Sequence, residues 1–123
     1  MDILVIDDSQ FSQKITCSLI GKYIENAVIH TAADGEDGLE KYTAIRPDYL
    51  FTDLLMPKLN GDEVVKRVKI VDPAARIVIV TADVQQSTKQ EMEALGILAF
   101  INKPFNDEKA KLICEVMRNF QNE

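Results

Sequence analysis

Five short runs dominated by Ile, Val, Leu and Phe punctuate the chain: Ile3 to Asp7, Ala27 to Ala32, Tyr49 to Asp53, Arg76 to Thr81 and Leu98 to Ile101. Each is followed by a stretch whose apolar residues recur at helical spacing. Most of the runs are nearly continuous rather than alternating with polar residues. That is the pattern of parallel strands covered on both faces, so helices are predicted on both sides of the sheet. The first helix follows Asp8. The second follows Asp34-Gly35 and stops at Arg46-Pro47, because the residue preceding proline resists helical geometry. The third begins near Gly61-Asp62 and ends before Asp72-Pro73, and the fourth runs from about Val84 to a Gly96 stop. The last opens at Asn106-Asp107-Glu108, a capping residue followed by acids favoured at the positive end of a helix, and reaches almost to Glu123.

Five βα units with right-handed crossovers predict an α/β fold, a doubly wound parallel sheet of the flavodoxin-like (βα)5 type with strand order 2-1-3-4-5. In such sheets the functional crevice lies beyond the carboxyl ends of the strands, at the switch point between strands one and three. No repeat, low-complexity tract or linker interrupts the pattern. A length of 123 residues suits one compact domain over 1–123, with no further output domain expected.

Lys+Arg 14 against Asp+Glu 20 gives a net charge of -6, which opposes direct binding to DNA or to an anionic membrane. The start Met1-Asp2-Ile3 lacks a basic leader, and no apolar run approaches the ~18 residues of a membrane span, so a soluble cytoplasmic chain without membrane insertion is expected. Cys17 and Cys114 belong to no metal-ligand spacing and read as reduced thiols. His30, the only histidine, lies in a strand-like run without partners for phosphotransfer or metal binding and reads as an ordinary strand residue.

The strand ends carry the chemistry. Strand one ends in Asp7-Asp8, strand three in Asp53 and strand four in Thr81, while strand five runs into Lys103-Pro104. The fold brings these groups to one rim. Three neighbouring carboxylates repel one another, so the site must raise their pKa values or take a cation. An all-oxygen donor set without histidine or thiolate selects a hard divalent ion such as Mg2+.

Asp7-Asp8-Ser9, Asp53-Leu54-Leu55-Met56-Pro57 with Gly61, Thr81-Ala82 and Lys103-Pro104-Phe105 resemble, in their expected order, the signatures of response-regulator receiver domains of the stand-alone, chemotaxis-regulator type. Each motif alone is weak; their succession at four strand ends is specific. The resemblance covers the whole chain and implies that Asp53 is the phosphoacceptor, attacking a phosphohistidine on a sensor histidine kinase or a histidine phosphotransfer protein. It implies Mg2+ held by Asp8 and Asp53 directly, by Asp7 through a water, and by the backbone carbonyl of Leu55. Lys103 would pair with the carboxylate and then with a phosphoryl oxygen, from a loop in which Lys103-Pro104 is cis. The implied activity is a phosphoacceptor switch with Mg2+-dependent self-phosphorylation and slow self-dephosphorylation. It would signal to a downstream effector protein, most often through the face of helix four, strand five and helix five.

The resemblance also implies a switch read from Thr81 and Phe100. Phe100 has two open readings, a ring that swings inward when the Thr81 hydroxyl turns to the phosphoryl group, or a core aromatic in both states. Leu55 and Asp83 depart from the polar pattern often found near such sites and are predicted to tune dephosphorylation, against the alternative of solvated loop positions. Phe11 and Ile15 form an apolar pair on the first helix, read as core packing in preference to a kinase-docking patch.

Three rival readings stand against this one. A metal-dependent phosphohydrolase with an aspartyl nucleophile typically needs a second Asp two residues after the first, where this chain has Leu55. A flavodoxin-like cofactor binder needs a hydroxyl- and glycine-rich phosphate loop after strand one, where Asp7-Asp8 would repel the phosphate. A pseudo-receiver usually lacks part of the site, and here every part is present.

Overall fold

The computed structural model describes residues 1–83 and 85–121. Five strands and five helices alternate in the order β1 (Asp2–Ile6), α1 (Gln10–Tyr23), β2 (Val28–Ala32), α2 (Gly35–Ile45), β3 (Tyr49–Thr52), α3 (Gly61–Val71), β4 (Ile77–Thr81), α4 (Gln86–Ala94), β5 (Ala99–Asn102) and α5 (Asp107–Gln121). The sheet has the order β2-β1-β3-β4-β5, and every neighbouring pair is parallel. This is the predicted flavodoxin-like arrangement. Strand boundaries differ from the sequence expectation by about one residue; Asp7 and Asp53 leave the ends of β1 and β3, while Asp2 and Asn102 join β1 and β5. The expected start of the fourth helix at Val84 lies outside the described residues, as does the far end of the last helix.

Local chemistry explains the helix starts. Ser9 caps α1 by accepting from Ser12 N–H, and Asp34 caps α2 by accepting from Asp37 N–H at 2.8 Å. Asn106 Oδ1 accepts from Lys109 N–H at 2.9 Å at the start of α5. Such side-chain acceptors satisfy amides that have no partner within the helix. At the other end of α2, Arg46 takes a left-handed conformation (φ 51°) immediately before Pro47, which agrees with the predicted stop.

Alternate residues of each central strand enter opposite layers. Leu4, Leu50, Ile77 and Ile79 pack with Tyr42 of α2, Val64 and Val68 of α3 and Met92 of α4. Ile3, Val5, Tyr49, Phe51 and Val78 pack on the other face with Ile20 of α1 and Ile113, Cys114 and Met117 of α5. Each fully buried aliphatic or aromatic side chain contributes about 1.5–3 kcal/mol before entropy costs. Polar groups inside the layers are paired: Tyr42 Oη donates to Asp72 Oδ2 at 2.8 Å and Tyr49 Oη to the Met117 carbonyl at 3.0 Å. His30 lies half-buried on β2, with Nε2 3.1 Å from Asp2 Oδ1, in keeping with a structural strand residue.

The expectation that Phe11 packs in the core is not met. Phe11 is 75% exposed. The inward positions of α1 are Thr16 and Ile20, and nine residues at about 100° each put Phe11 roughly 180° round the helix from Ile20. Ile15 is half-buried. Both residues line a groove with Pro104 and Phe105 beside Lys103.

Candidate functional site

Parallel strands bring their carboxyl ends to one rim, and register places the acids side by side. Ile6 pairs with Thr52, so the next residues, Asp7 and Asp53, emerge as neighbours. Carboxylate oxygens of Asp7, Asp8 and Asp53 lie within 4.8 Å of one another. Asp7 and Asp53 are buried and Asp8 is exposed. The rim therefore has a concealed pair and one acid facing solvent. An all-carboxylate cluster of this size fits a hard divalent cation, with Asp7, Asp8 and Asp53 as the residues able to hold it.

Asp53 is held at both oxygens. Oδ1 accepts from the backbone N–H groups of Leu54 at 2.6 Å and Leu55 at 3.2 Å, and Oδ2 lies 2.8 Å from Lys103 Nζ. Lys103 also donates to Asp7 Oδ2 at 3.0 Å, while Asp7 Oδ1 accepts from Ser9 N–H at 3.0 Å. Burial pushes the Asp7 carboxyl up from its usual value, and the opposing Ser9 and Lys103 hydrogen bonds do not cancel it. For Lys103 the balance runs the other way. Burial works against its charge, yet the bonds to Asp53 and Asp7 outweigh burial and its pKa is raised, so it remains an ammonium.

The remaining expected residues surround this centre. Thr81 is buried at the end of β4 and accepts from Asp83 N–H at 3.2 Å through its hydroxyl oxygen. The Asp83 carboxylate accepts from Gln85 N–H at 3.0 Å. Leu55 is exposed on the loop after Asp53. Phe100 lies on β5, half-buried against the cluster that includes Met92. The Lys103-Pro104 bond is cis, as the motif implied.

Two glycines let the β3–α3 loop fold over the site. A β-carbon on Gly61 would overlap the Asp53 carbonyl oxygen, and one on Gly35 would overlap the Leu59 carbonyl oxygen. Lys58, itself left-handed at φ 69°, reaches Asp34 at 3.5 Å and adds a tie between the β3–α3 loop and α2. Sequence reasoning missed Gln13. Its amide donates to the carbonyls of Asp7 at 3.3 Å and Ala32 at 3.1 Å, joining the ends of β1 and β2. Its place two turns before Ile20 gave no sign of this. It also missed Lys109, whose ammonium reaches the backbone around Lys103.

A doubly wound sheet with an acidic, lysine-bridged pocket at its switch point is the arrangement of the receiver modules of two-component signalling. Residues 3–115 match the model of the response regulator receiver domain, and the chain belongs to that family. The chemotaxis protein CheY of Thermotoga maritima is 32% identical over 107 residues, which cover 87% of this chain and 88% of that protein. A hybrid signal transduction histidine kinase of Dictyostelium discoideum is 31% identical over 109 residues, 87% of this chain, and the chain spans 7% of that protein's length. Among solved structures, a chain of the CheX-CheY-BeF3-Mg2+ complex of Borrelia burgdorferi has a TM-score of 0.85 at 29% identity, covering 98% of this chain and 89% of that chain. Receiver domains of this CheY-like kind are phosphoacceptor switches rather than turnover enzymes. No helix among the described residues is long and apolar enough to cross a membrane.

Proposed function

We propose that this chain is a phosphorylation-dependent switch that accepts a phosphoryl group on Asp53 and passes the signal by protein contact. The observation that carries the reading is the convergence on Asp53 of two carboxylate neighbours within 4.8 Å and of the Lys103 ammonium at 2.8 Å. An Asp53 carboxylate oxygen attacks phosphorus, the P–N bond of a phosphohistidine breaks as the P–O bond forms, and the imidazole nitrogen leaves with the electron pair. The donor is a sensor histidine kinase or a histidine phosphotransfer protein.

Asp7, Asp8 and Asp53, with the Leu55 carbonyl, are the residues that would hold Mg2+. When bound, that ion supplies charge stabilisation to the transferring group. Lys103 keeps Asp53 oriented before transfer and offers its ammonium to a phosphoryl oxygen afterwards. Thr81, buried beside the pocket, offers a hydroxyl to the same group. Partial burial of Phe100 leaves area to be covered if its ring follows Thr81 inward, which favours the switching reading over a fixed core aromatic. The exposed Phe11 ring and the Pro104-Phe105 loop border the pocket and supply an apolar rim on which a phosphodonor protein can seat. Output through α4, β5 and α5, a single receiver domain over residues 1–123 and residence in the cytoplasm complete the proposal.

Incubating the protein with acetyl phosphate and Mg2+ should add one phosphoryl group, detected by intact mass, and Asp53→Asn should abolish the addition. Full incorporation in Asp53→Asn would overturn the assignment. Asp8→Ala should weaken Mg2+ binding, and an unchanged affinity would remove Asp8 from the metal site.

A further inference from the structure

Lys103 can place its charge between Asp7 and Asp53 only if the backbone from which it projects is held still. On the inner side, its N–H donates to the Thr81 carbonyl at 2.8 Å, which ties the loop to β4. On the outer side β5 is an edge strand with β4 as its only neighbour in the described sheet. A second lysine closes that side. Lys109, half-buried on α5, donates from Nζ to the Asn102 carbonyl at 2.7 Å and to the Pro104 carbonyl at 3.3 Å. These carbonyls belong to the residues immediately before and after Lys103. The backbone of Lys109 is anchored to the same loop, because its N–H donates to Asn106 Oδ1.

We infer that Lys109 is a positioning residue for Lys103: its ammonium clamps the two flanking carbonyls and fixes the origin of the lysine that bridges Asp7 and Asp53. A lysine side chain is long and flexible, so a small displacement of its α-carbon is magnified at the ammonium. An ammonium has three donors and can serve two carbonyls at once. An apolar side chain there would leave both carbonyls to water and let the loop move. Lys109 does not touch the carboxylates, so it acts through Lys103 alone. The kinetic part of the inference rests on the reading of Asp53 as phosphoacceptor; the placement of Lys103 does not.

Two measurements test it, using Lys109→Met to remove the donors while keeping the hydrocarbon and Lys109→Arg to restore them. The first is the exchange rate with water of the Lys103 side-chain ammonium protons, followed by 15N-resolved NMR of the unphosphorylated protein. Exchange should quicken several-fold in Lys109→Met and return towards the original rate in Lys109→Arg. The second is the rate of phosphorylation by acetyl phosphate with Mg2+ at saturation. Lys109→Met should slow it by about two- to tenfold, the range of one lost hydrogen bond, and should have no further effect in a Lys103→Met background. Unchanged Lys103 exchange, or the same slowing in both backgrounds, would overturn the inference. Phosphoryl uptake that survives Asp53→Asn would instead count against the reading of the site, while the exchange measurement would still decide the role of Lys109.

Discussion

Gly61 lies against the backbone of Asp53 so closely that a β-carbon would overlap the Asp53 carbonyl oxygen, and Gly61 N–H donates to the next carbonyl, that of Leu54, at 2.8 Å. The start of α3 is therefore pressed directly onto the residue at the centre of the site. Gly61→Ala must push the helix or the Asp53 loop aside. Overpacking of this kind costs about 1–3 kcal/mol, even though alanine is the better helix former. Urea denaturation should show that loss, and phosphoryl uptake from acetyl phosphate should fall with it. Wild-type stability in Gly61→Ala would mean that the loop yields without cost.

Asp7 gives a pH dependence with a definite sign. Its folded pKa is raised above 3.8 by burial, so the native state favours the protonated form. The stability this contributes is present below the unfolded pKa and is lost as pH rises through the folded one. At pH 7 the ionised Asp7 is thus a burden on the metal-free protein. Asp7→Asn should raise the unfolding temperature by a few degrees in chelator at neutral pH, and the advantage should shrink towards pH 3.8. A destabilised Asp7→Asn at neutral pH would show that pairing with Lys103 outweighs burial.

Leu55 is exposed beside Asp53, and its backbone carbonyl, not its side chain, is the proposed metal contact. Leu55→Asn should therefore leave Mg2+ affinity nearly intact while speeding loss of the phosphoryl group, since an amide can orient an attacking water where hydrocarbon covers its approach. One oriented hydrogen bond of about 0.5–1.5 kcal/mol corresponds to roughly a two- to tenfold faster decay. First-order decay of the purified phosphoprotein checks the rate, and Mg2+ titration of the unphosphorylated form checks the metal. An unchanged decay would reduce Leu55 to loop packing.

The two cysteines should differ in reactivity. Burial pushes the Cys114 thiol up to about 11, and the nearby Arg118 offsets little of that. Cys17 is raised in the same direction but is only half-buried. Because the thiolate is the nucleophile, iodoacetamide at pH 8 should modify Cys17 well ahead of Cys114, with both labelled alike in urea. Peptide mapping by mass spectrometry distinguishes them, and equal native rates would contradict the burial of Cys114.

The strands were legible because Leu4, Leu50 and Ile79 sit in runs that are apolar on both faces, and the rim was legible because parallel order brings every strand end to the same side. Asp7, Asp53 and Lys103 could thus be gathered before any coordinate was known. Phe11 was misplaced because an i, i+4 apolar pair states a spacing and not which side of the helix meets the sheet; the polar Thr16 took the inward position instead. Gln13 and Lys109 were missed for a different reason. Their partners are backbone carbonyls, which every residue carries, so no pattern of side chains marks them.

The place of β5 at the edge of the sheet bears on how the chain assembles. Asp7 and Asp53 come from strands that are synthesised early and lie side by side at the centre, whereas their counter-charge, Lys103, follows the last strand to emerge. Until β5 docks, the first four strands must hold like charges together with only backbone N–H donors to ease them. Seating β5 sets the Lys103 ammonium between the two acids, offsets part of that repulsion and adds the strand's own packing, so it works as a latch on the strands made before it.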